Sequence, residues 1–596
     1  MSTAILTGSP VPGSSIEGDL RSLGFDVRTA ADTTEAETLL AAVPGDQRVA
    51  VVDARFVGHL HALRLGLTDP RFPLAAVPGA VTAQPAGRQA LTRAVARENS
   101  ASAGTTLLDN LADRIVTALD TDGCDVHRPE LGSLVATVPA DPQARNEARQ
   151  AVAAVDDEAV RLKSAVKSRD GFFTTHFISP YSRYLARWCA RRGLTPNQVT
   201  TASLLTALIA AGCAATGTRA GYVAAGVLLI ASFVLDCTDG QLARYSLQYS
   251  TLGAWLDATF DRAKEYAYYA GLALGAARGG DDVWALALGA MILQTCRHVV
   301  DFSFNEANHD ATANTSPTAA LSDKLDSVGW TVWVRRMIVL PIGERWAMIA
   351  VLTAVTTPRI TFYVLLVGCA FAATYTAAGR VLRSLTRKAT RTDRAAGALA
   401  DLADSGPLAE LLARVLPGRS RVPALLWAVA GTAVLLLAAW FDGPGRSVVL
   451  AAGVYAMVSA EAVSRPLKGA LDWLIPPLFR AAEYCTVLIL AAKAEVNGAL
   501  PAAFGLVAAV AYHHYDTVYR IRGNAGASPA WLVRAIGGHE GRTLLVTVLA
   551  AVLTASQFTV ALTVLAVAVA LLVLFESIRF WVSAGAPAVH DEGEPA

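Results

Sequence analysis

The pattern of hydrophobic and polar positions changes once along the chain. Up to about residue 155, short apolar runs such as "RVAVVDA" alternate with helical stretches, which predicts a soluble α/β domain with a parallel sheet. Beyond residue 198, the apolar runs become long enough to cross a bilayer core of roughly 30 Å. Twelve are predicted, at 198–216, 220–237, 252–277, 283–303, 336–355, 359–382, 422–440, 446–463, 473–495, 499–520, 542–556 and 558–582. The predicted fold class is a polytopic α-helical membrane protein of about twelve transmembrane helices, preceded by a soluble α/β domain.

Changes in composition divide the chain into six regions. They are a soluble α/β domain at 1–155, an amphipathic interfacial linker at 156–197, a six-helix membrane domain at 198–385, a basic connector at 386–420, a second six-helix membrane domain at 421–585 and a polar tail at 586–596. The linker segment "SPYSRYLARW" mixes Arg with aromatic residues, which is typical of a helix that lies at a membrane surface.

Composition supports a membrane protein and argues against a nucleic-acid-binding one. Of 596 residues, 53% are hydrophobic and 17% are charged, which is too apolar for an ordinary soluble enzyme of this length. The formal net charge is +1, whereas nucleic-acid binding normally requires a basic excess. The seven cysteines show no paired spacing, so neither a disulfide framework nor a zinc site is expected.

The distribution of positive charge predicts the orientation in the membrane. Lys and Arg concentrate in the linker, in the connector and at Arg335 and Arg336, whereas the turns on the opposite side are short. The positive-inside rule then places both termini in the cytoplasm. The N-terminal segment lacks a basic stretch followed by an apolar one, so we expect no cleaved signal. Abundant Ala, Val, Arg and Gly suggest a bacterial source and therefore the plasma membrane.

Four aspartates stand at the ends of predicted spans, where an unpaired charge is costly. Asp236 and Asp239 are three residues apart on one span, and Asp257 and Asp261 are four apart on the next, so each pair shares one helical face. Carboxylates inside a membrane are by default functional. Four of them together need cations, and oxygen ligands without His or Cys select Mg²⁺ or Mn²⁺, as one ion or two. The pattern predicts a metal site.

The same region carries a family signature. It reads Asp236-x2-Asp239-Gly240-x2-Ala243-Arg244-x8-Gly253-x3-Asp257-x3-Asp261. At every position it resembles the motif of the CDP-alcohol phosphotransferases, also called CDP-alcohol phosphatidyltransferases. The small residues suit close packing of helices and a nucleotide, and the arginine suits bidentate binding of a phosphate.

The resemblance implies a six-helix membrane enzyme at 198–385. Such an enzyme cleaves the diphosphate of a CDP-alcohol donor, transfers the phosphoryl-alcohol group to an acceptor hydroxyl and releases CMP. The resemblance also implies two Mg²⁺ or Mn²⁺ ions. Their principal ligands would be Asp236, Asp239 and Asp257, while Asp261 would accept the proton of the acceptor and also reach the metal.

Further residues are candidates for substrate binding. "LTPNQVT" resembles the sequence at which the family's first span begins, which implies a place for Asn197 and Thr200 on the nucleotide side of the pocket. Both residues fit an ordinary helix start equally well. Four arginines of the linker suit an acceptor phosphate or, as the favoured interpretation, anionic lipid headgroups: Arg183, Arg187, Arg191 and Arg192.

The linker also bears on the choice of substrate. It resembles the linkers of relatives fused to a nucleotidyltransferase, which implies a soluble CDP-inositol-type donor and an inositol-phosphate-type acceptor. A CDP-diacylglycerol donor, which would give a phospholipid, is the alternative within the same enzyme class. The residue pattern does not separate the two donors.

The second membrane domain resembles a degenerate copy of the first. The segment "WLDATFDRAKEY", which begins at Trp255, aligns without a gap with "WLIPPLFRAAEY". In this alignment Asp257 falls on Ile475 and Asp261 on Phe479, so the metal ligands are lost. The resemblance to the family implies a homodimer. We therefore expect the fused copy to form an internal pseudo-dimer with one working site.

The second domain nevertheless has polar residues of its own. Arg480 and Glu483 are expected to pair within one helix at i and i+3. Five others suit either a lipid-headgroup or metal site or, as the favoured interpretation, interfacial positions satisfied by water: His513, His514, Asp516, His539 and Glu540.

The N-terminal domain superficially resembles the nucleotidyltransferases that are fused to some relatives. Its segment "GSPVPG" has two prolines and no cation before Arg21. It therefore lacks the Gly-rich, Arg-bearing loop that would hold a triphosphate. We expect a degenerate nucleotide-fold domain. Asp53 suits a ligand at the end of a strand or, as the favoured interpretation, the cap of a loop.

A twelve-span transporter is the alternative from another class of protein. It would distribute polar residues over both halves at mid-membrane depth. Acidic residues are instead expected in one half only, at span ends on the presumed cytoplasmic side. The sequence therefore favours an enzyme.

Overall fold

The computed structural model describes residues 2–101, 110–167, 170–311, 333–334, 337–386, 389–415 and 422–583. The chain divides into two compact units. The first comprises Met1–Ser168, Tyr181–Pro196 and Thr238–Tyr249, and the second comprises Arg169–Pro180, Asn197–Cys237 and Ser250–Ala596. Arg335, Arg336 and the tail 586–596 lie outside the described residues.

A five-stranded sheet forms the centre of the first unit. The strands are β1 Ser2–Thr7, β2 Phe25–Ala30, β3 Arg48–Asp53, β4 Val57–Gly58, β5 Leu74–Val77, β6 Ala80–Ala83 and β7 Ala136–Thr137. The order in the large sheet is β2-β1-β3-β6-β5, and β4 pairs with β7 in a small second sheet. Because helices cover both faces of the large sheet, its central strands are apolar throughout rather than alternating.

The prediction of a parallel sheet is only partly right. β1 pairs in parallel with β2 and β3, whereas β6 runs antiparallel to both β3 and β5. The reason is the two-residue connection Pro78-Gly79 between β5 and β6, which can join only antiparallel strands. Gly79 has a φ of +79°, a conformation that glycine adopts without strain.

Seven helices accompany these strands. They are α1 Ile16–Ser22, α2 Thr33–Ala42, α3 Leu60–Thr68, α4 Arg88–Ala101, α5 Leu111–Thr121, α6 Pro142–Ala153 and α7 Asp157–Ser164. At the end of β3, Asp53 accepts a hydrogen bond from the backbone N–H of Arg55 at 2.8 Å. The predicted loop-capping role of this aspartate is therefore confirmed.

A buried histidine makes the first unit sensitive to acid. His61 of α3 is 3% exposed, and among the described residues its ring nitrogens have no hydrogen-bond partner. Burial, followed by the positive charges of Arg161 and Arg64 and the ring of His59, lowers the pKa of His61 from 6.5 to about 4. The unfolded chain therefore binds a proton at a higher pH than the folded chain does. Stability is retained above pH 6.5 and is lost as the pH falls towards 4.

We expect the first unit to lose up to about 2 kcal/mol of stability between pH 7 and pH 5. Hydrogen exchange of α3, corrected for the intrinsic effect of pH, measures this loss. The variant His61→Leu has no imidazole to protonate and should show a much flatter pH dependence. An equal pH dependence in both chains would contradict the assignment.

The rest of the chain is helical in the described residues. The helices are α8 Ser179–Arg191, α9 Pro196–Ala215, α10 Arg219–Ser246, α11 Thr251–Arg278, α12 Trp284–Asn308, α13 Ile342–Val355, α14 Pro358–Thr386, α15 Asp393–Ala403, α16 Pro407–Val415, α17 Ala424–Phe441, α18 Arg446–Val463, α19 Ile475–Lys493, α20 Ala499–Arg522, α21 Ala530–Ile536, α22 Gly538–Val552 and α23 Ala555–Ser583. Each of the twelve predicted apolar segments corresponds to one of them, although in 336–355 the helix α13 begins at Ile342, after a short helical stretch at 337–339.

Seven of these helices are long and apolar enough to cross a membrane. They are α9, α10, α14, α17, α18, the stretch Asp472–Lys493 that contains α19, and α23. This number fits a membrane protein, but the predicted count of twelve spans is not confirmed. Helix α11 is long but carries six charged residues. The described parts of α13 and α22 have 14 and 15 residues, fewer than a membrane-spanning helix needs.

Small residues let α9 and α11 approach closely. A Cβ atom built on Gly271 would lie 2.4 Å from the carbonyl oxygen of Ala211, and one on Gly275 would lie 2.1 Å from that of Ala214. The two glycines are four residues apart and therefore share one face of α11, as in other small-residue helix contacts. This contact fixes α11, which carries two of the predicted metal ligands.

The expectation that acidic residues occur in one half only is wrong. The second half buries Asp404, Glu483, Asp516, Glu540 and Glu576. Asp404, Glu483, Asp516 and Glu576 are paired with arginine side chains, and Glu540 accepts backbone hydrogen bonds. Such pairing makes burial possible without a substrate pathway.

The favoured interpretation of the five polar residues of the second half is also wrong. His513, His514, Asp516, His539 and Glu540 are each at most 2% exposed, so they are not interfacial residues satisfied by water. The predicted pairing of Arg480 with Glu483 is confirmed, at 2.8 Å.

Candidate metal centre

Two neighbouring helices bring three of the predicted aspartates together. Asp236 lies near the end of the apolar part of α10, and Asp257 and Asp261 lie one turn apart on α11. One carboxylate oxygen of each lies within 4.8 Å of the others. All three residues are partly buried.

The donor set fits a hard divalent cation. It consists of carboxylate oxygens without His or Cys, which favours Mg²⁺ or Mn²⁺. In the described part of the chain this is the one group of three such ligands. The alternative metal site among the histidines of the second half therefore has no support in the described residues.

A lysine that the sequence analysis does not predict lies in this group. Lys264 of α11 is 1% exposed, and its ammonium contacts Asp236 and lies 2.9 Å from Oδ1 of Asp261. The Nζ atom also donates to Oγ of Ser203 on α9 at 3.2 Å. A signal was present, because Lys264 follows Asp261 by three residues and so lies on the same side of α11.

A second buried charge cluster holds α11 in place. Glu265 accepts a hydrogen bond from Arg262 at 3.0 Å and one from the hydroxyl of Tyr269 at 2.7 Å. Arg345 of α13 lies 3.3 Å from the same carboxylate. Arg262, Glu265 and Arg345 are each at least nine-tenths buried, so this cluster ties α11 to α13 beside the metal group.

The motif glycine Gly253 makes room for a predicted substrate-binding residue. A Cβ atom at Gly253 would lie 2.7 Å from Oδ1 of Asn197 and 2.8 Å from Oγ of Ser250. Ser250 caps α11 by accepting the backbone N–H of Gly253 at 3.0 Å. The structure thus brings Asn197 to the start of the helix that carries Asp257. Thr200, one turn further along α9, is buried.

The remaining motif residues belong to the first unit. Asp239 is buried three residues beyond Asp236 on α10, and its role as a metal ligand stays a prediction. A Cβ atom at Gly240 would lie 3.4 Å from the guanidinium of Arg244, and Ala243 is partly buried. The Nε atom of Arg244 donates to the carbonyl of Ala165 at 2.6 Å, so part of this side chain serves to fix the helix end.

The four arginines of the linker lie on or directly after α8. Their helix exposes large aromatic side chains, with Tyr181 74% and Trp188 50% exposed. The guanidinium of Arg192 lies over the ring of Trp188 at 5.3 Å, and those of Arg183 and Arg187 lie over the ring of Tyr184. Exposed aromatic rings beside arginines fit a helix at a membrane interface. Arg183 and Arg187 are partly buried, while Arg191 and Arg192 are exposed.

Comparison with known proteins agrees with this geometry. Residues 193–373 match the family model described as CDP-alcohol phosphatidyltransferase, and residues 393–596 match a family of unknown function, DUF5941. The chain is 35% identical over 131 residues to a phosphatidylinositol phosphate synthase from Streptomyces avermitilis, covering 21% of this chain and 51% of that protein.

Two further relatives match the same region. An archaetidylinositol phosphate synthase from Pyrococcus horikoshii is 30% identical over 113 residues, which is 19% of this chain and 58% of the relative. A bifunctional IPC transferase and DIPP synthase from Aquifex aeolicus is 31% identical over 114 residues, which is 19% of this chain and 26% of the relative. The chain therefore spans between a quarter and three-fifths of the length of these relatives.

The matched region contains every residue of the aspartate motif and of the carboxylate group around Lys264. The family generally uses divalent metal ions, in agreement with the donor set. Residues 193–373 are a CDP-alcohol phosphatidyltransferase domain, and a distinct DUF5941 domain follows it in the same chain.

Proposed function

We propose that this protein is an integral-membrane transferase that moves a phosphoryl-alcohol or phosphatidyl group from a CDP-alcohol to an acceptor hydroxyl and releases CMP. The observation that carries the proposal is the group of three carboxylates from α10 and α11, with ligand oxygens within 4.8 Å of one another. A bound Mg²⁺ or Mn²⁺ ion, or two such ions, would neutralise the donor diphosphate and stabilise CMP as a leaving group.

The residues of the chain have separate tasks in this reaction. Asp236, Asp239 and Asp257 hold the metal, and Arg244 binds a phosphate of the donor. Asp261 accepts the proton of the acceptor hydroxyl as its oxygen attacks phosphorus. The bond between that phosphorus and the bridging oxygen breaks, and the electron pair leaves with CMP, so charge and atoms balance.

We infer that the acceptor is an inositol-phosphate-type alcohol. Two of the relatives above are named as inositol phosphate lipid synthases, which supports this acceptor chemistry and a CDP-diacylglycerol-type donor. The third relative is named as an IPC transferase and DIPP synthase, which supports the alternative, a CDP-inositol-type donor. Both donors would release CMP at the same carboxylates.

The test is CMP release by the full-length protein purified in detergent with Mg²⁺. CDP-diacylglycerol and CDP-inositol are supplied separately, each with and without inositol phosphate. We expect acceptor-dependent CMP release from one donor, its loss on addition of EDTA and its recovery with excess Mg²⁺. If neither donor releases CMP while Mn²⁺ still binds, the inositol-type substrates are wrong. If Mn²⁺ does not bind, the metal centre itself is wrong.

We also propose that the protein lies in a bacterial plasma membrane with the active site and both termini in the cytoplasm. Lys and Arg are concentrated in the linker and connector, which the positive-inside rule places on that side. CDP-alcohols are available there. Arg183, Arg187, Arg191 and Arg192 would then face anionic lipid headgroups.

We infer that the second half is an internal copy of the catalytic half that has lost its metal ligands. In the first half Arg262 and Arg345 hold Glu265, and in the second half Arg480 and Arg542 hold Glu483. In both clusters one helix, α11 or α19, supplies the glutamate and its first arginine. The second arginine comes from the aligned helix α13 or α22. Ile475 and Phe479, which align with Asp257 and Asp261, are fully buried in the apolar core of the second half.

A matching pair of glutamates supports the same inference. Glu344 of α13 accepts a hydrogen bond from the backbone N–H of Phe173 at 3.2 Å, just before α8. Glu540 of α22 accepts hydrogen bonds from the backbone N–H groups of Gly406 at 2.8 Å and Ala409 at 3.0 Å, at the start of α16. Each glutamate thus accepts backbone hydrogen bonds from a segment that precedes the membrane helices of its own half.

The contacts between the halves have the pattern of a twofold dimer. If α11 corresponds to α19 and α12 to α20, a twofold relation requires α12 to contact α19 wherever α11 contacts α20. Both contacts are present, and α12 also contacts α20. These contacts support an internal pseudo-dimer, in which the second half takes the place of a partner subunit.

We assign the first unit to a degenerate nucleotide-type α/β fold. Its parallel strands in the order β2-β1-β3 support this assignment. A cavity of about 200 Å³ lies beside Gly13 and Ser14 in the loop that follows β1, with Arg145 and Arg149 of α6 in its lining. No catalytic role is assigned to it.

A further inference from the structure

The last turn of α10 is fixed by α7 within the first unit. Arg161 of α7 donates from Nε to the backbone carbonyl of Tyr245 at 2.8 Å, and its guanidinium lies 3.6 Å from the centroid of the tyrosine ring. The hydroxyl of Tyr245 donates to Glu158 of α7 at 2.8 Å. Backbone carbonyls at the end of a helix have no partner within the helix, so Arg161 satisfies one of them while its charge lies over the ring. Both the backbone and the side chain of Tyr245 are therefore bound to α7.

The contacts of α7 also reach the motif residue Arg244. The Nε atom of Arg244 donates to the carbonyl of Ala165, the residue after α7, at 2.6 Å. Leu162 and Ala165 form a small apolar cluster with the ring of Tyr245. Helix α7 itself packs on α3, which flanks the large sheet. The end of α10 is thus connected to the α/β fold and not only to the membrane helices.

The guanidinium of Arg244 is held at a defined place along α10. A Cβ atom at Gly240, one turn before it, would lie 3.4 Å from one of its terminal nitrogens. Glycine leaves this space open for the arginine, and Ala165 fixes its Nε atom. Since Arg244 is the residue proposed to bind a phosphate of the donor, the first unit sets the orientation of a substrate-binding group.

A second arginine contacts the turn that follows α10. The guanidinium of Arg71, in the loop before β5, lies 4.1 Å from the centroid of the Tyr249 ring. Asp69 accepts two hydrogen bonds from the same guanidinium, at 3.1 and 2.7 Å. Because these two bonds fix the planar group, Tyr249 is held by an ordered cation. Arg161 and Arg71 therefore hold the chain on both sides of residues 246–248.

The backbone between the two tyrosines is strained. Leu247 has a φ of +52°, a left-handed conformation that glycine usually supplies at the end of a helix and that costs free energy in leucine. The N–H of Gln248 donates to the carbonyl of Ala243 at 3.0 Å across this turn. Such a conformation persists where the surrounding structure enforces it. The contacts of Tyr245 and Tyr249 supply that constraint.

We propose that the N-terminal part of the first unit, residues 2–167, is a scaffold for the donor-binding end of α10. Arg161 and Arg71 are positioning residues, which act through Tyr245 and Tyr249. They keep Arg244 in the orientation in which it binds a phosphate of the donor. The proposal rests on the proposed function, because it assigns positioning residues to the same reaction. It gives this part of the chain a role that requires no nucleotide-binding loop.

Binding of CDP to the full-length protein in detergent with Mg²⁺ tests the proposal, because CDP carries the two phosphates that either donor has. Isothermal titration calorimetry gives the Kd. In Arg161→Met, which removes the charge and the donor groups, we expect the Kd to rise about fivefold. In Tyr249→Leu, which leaves Arg71 paired with Asp69, we expect a rise of about threefold. Hydrogen exchange of residues 243–249 should become faster in both variants.

A double-mutant cycle separates positioning from a general loss of stability. If Arg161 acts through Arg244, Arg161→Met should weaken CDP binding by less than about twofold in an Arg244→Ala background. An equal loss in both backgrounds would mean a merely structural role and would overturn the proposal. The matched control is Arg28→Met, which breaks an exposed pair with Asp26 in the same part of the chain and should leave the Kd within about twofold.

Thermal unfolding shows whether each variant is folded. A folded Arg161→Met that binds CDP as tightly as the unmodified protein would also overturn the proposal, while CMP release by the unmodified protein would leave the proposed function intact. If Arg161→Met does not fold, Tyr249→Leu is judged by the same criterion. Absence of both CDP binding and CMP release in the unmodified protein would instead contradict the proposed function itself.

Discussion

The variant Asp261→Asn is expected to lower kcat for CMP release by about 10³-fold, within the range of general-base catalysis. The amide has nearly the shape of the carboxylate but does not accept the proton of the acceptor hydroxyl. It also removes one of the two carboxylates that hold Lys264, whose ammonium lies 2.9 Å from Asp261. Asp236 remains to pair with the ammonium, so the fold should persist.

Three measurements make this expectation specific. Rates of CMP release are compared at saturating donor and acceptor, so that the loss is assigned to kcat. Mn²⁺ binding is measured in the same preparation. Because Asp261 is not one of the principal metal ligands, its substitution should weaken Mn²⁺ binding only modestly. The matched control is Asp281→Asn, which removes a half-exposed ion pair with Arg359 and should change the rate less than about twofold. Full activity in Asp261→Asn would show that another residue accepts the proton of the acceptor hydroxyl.

The sequence was sufficient to predict those features that depend on a single helix. Apolar runs of helical length predicted the long helices, because burial of an apolar surface does not depend on which neighbour covers it. Spacings of three and four residues placed Asp257 and Asp261 on one face of α11. The family motif then supplied the crossing of α10 and α11 that brings Asp236 beside them.

The sequence was insufficient where several distant segments meet. Lys264 contacts Asp236 and Ser203 only because α9, α10 and α11 cross at one place. The mixed sheet was a different kind of error, since the turn Pro78-Gly79 was present in the sequence as a signal for antiparallel strands. The buried acids of the second half could not be separated from interfacial ones, because their arginine partners are far away along the chain.

Asp404 shows how much such a distant cluster contributes. It ends α15 in the left-handed conformation, with a φ of +54°, and one carboxylate oxygen accepts a hydrogen bond from Arg542 at 2.7 Å. The other oxygen pairs with His513 at 3.0 Å. Arg480 lies 3.5 Å from the carboxylate. Asp404 is 4% exposed, and its partners are at most 2% exposed, so loss of its charge would leave two buried arginines with Glu483 as their shared carboxylate.

We expect Asp404→Asn to destabilise the second half by about 3–5 kcal/mol, which corresponds to a fall in Tm on the order of 10 °C. Asparagine tolerates the left-handed conformation, so the effect reports charge and not backbone strain. Hydrogen exchange of α19 measures the loss. The control Glu410→Gln breaks an exposed pair with Arg534 and should cost less than about 1 kcal/mol.

The same variant tests the internal pseudo-dimer. All the metal ligands lie in the first half, and the first half packs on the second through α11 and α12. If the second half serves as a structural partner, CMP release by Asp404→Asn should disappear over the same temperature range in which α19 loses its protection from exchange. If CMP release persisted after α19 had unfolded, the catalytic half would not need its copy. In that case α12 could lose the cover of the second half while the carboxylates kept their geometry.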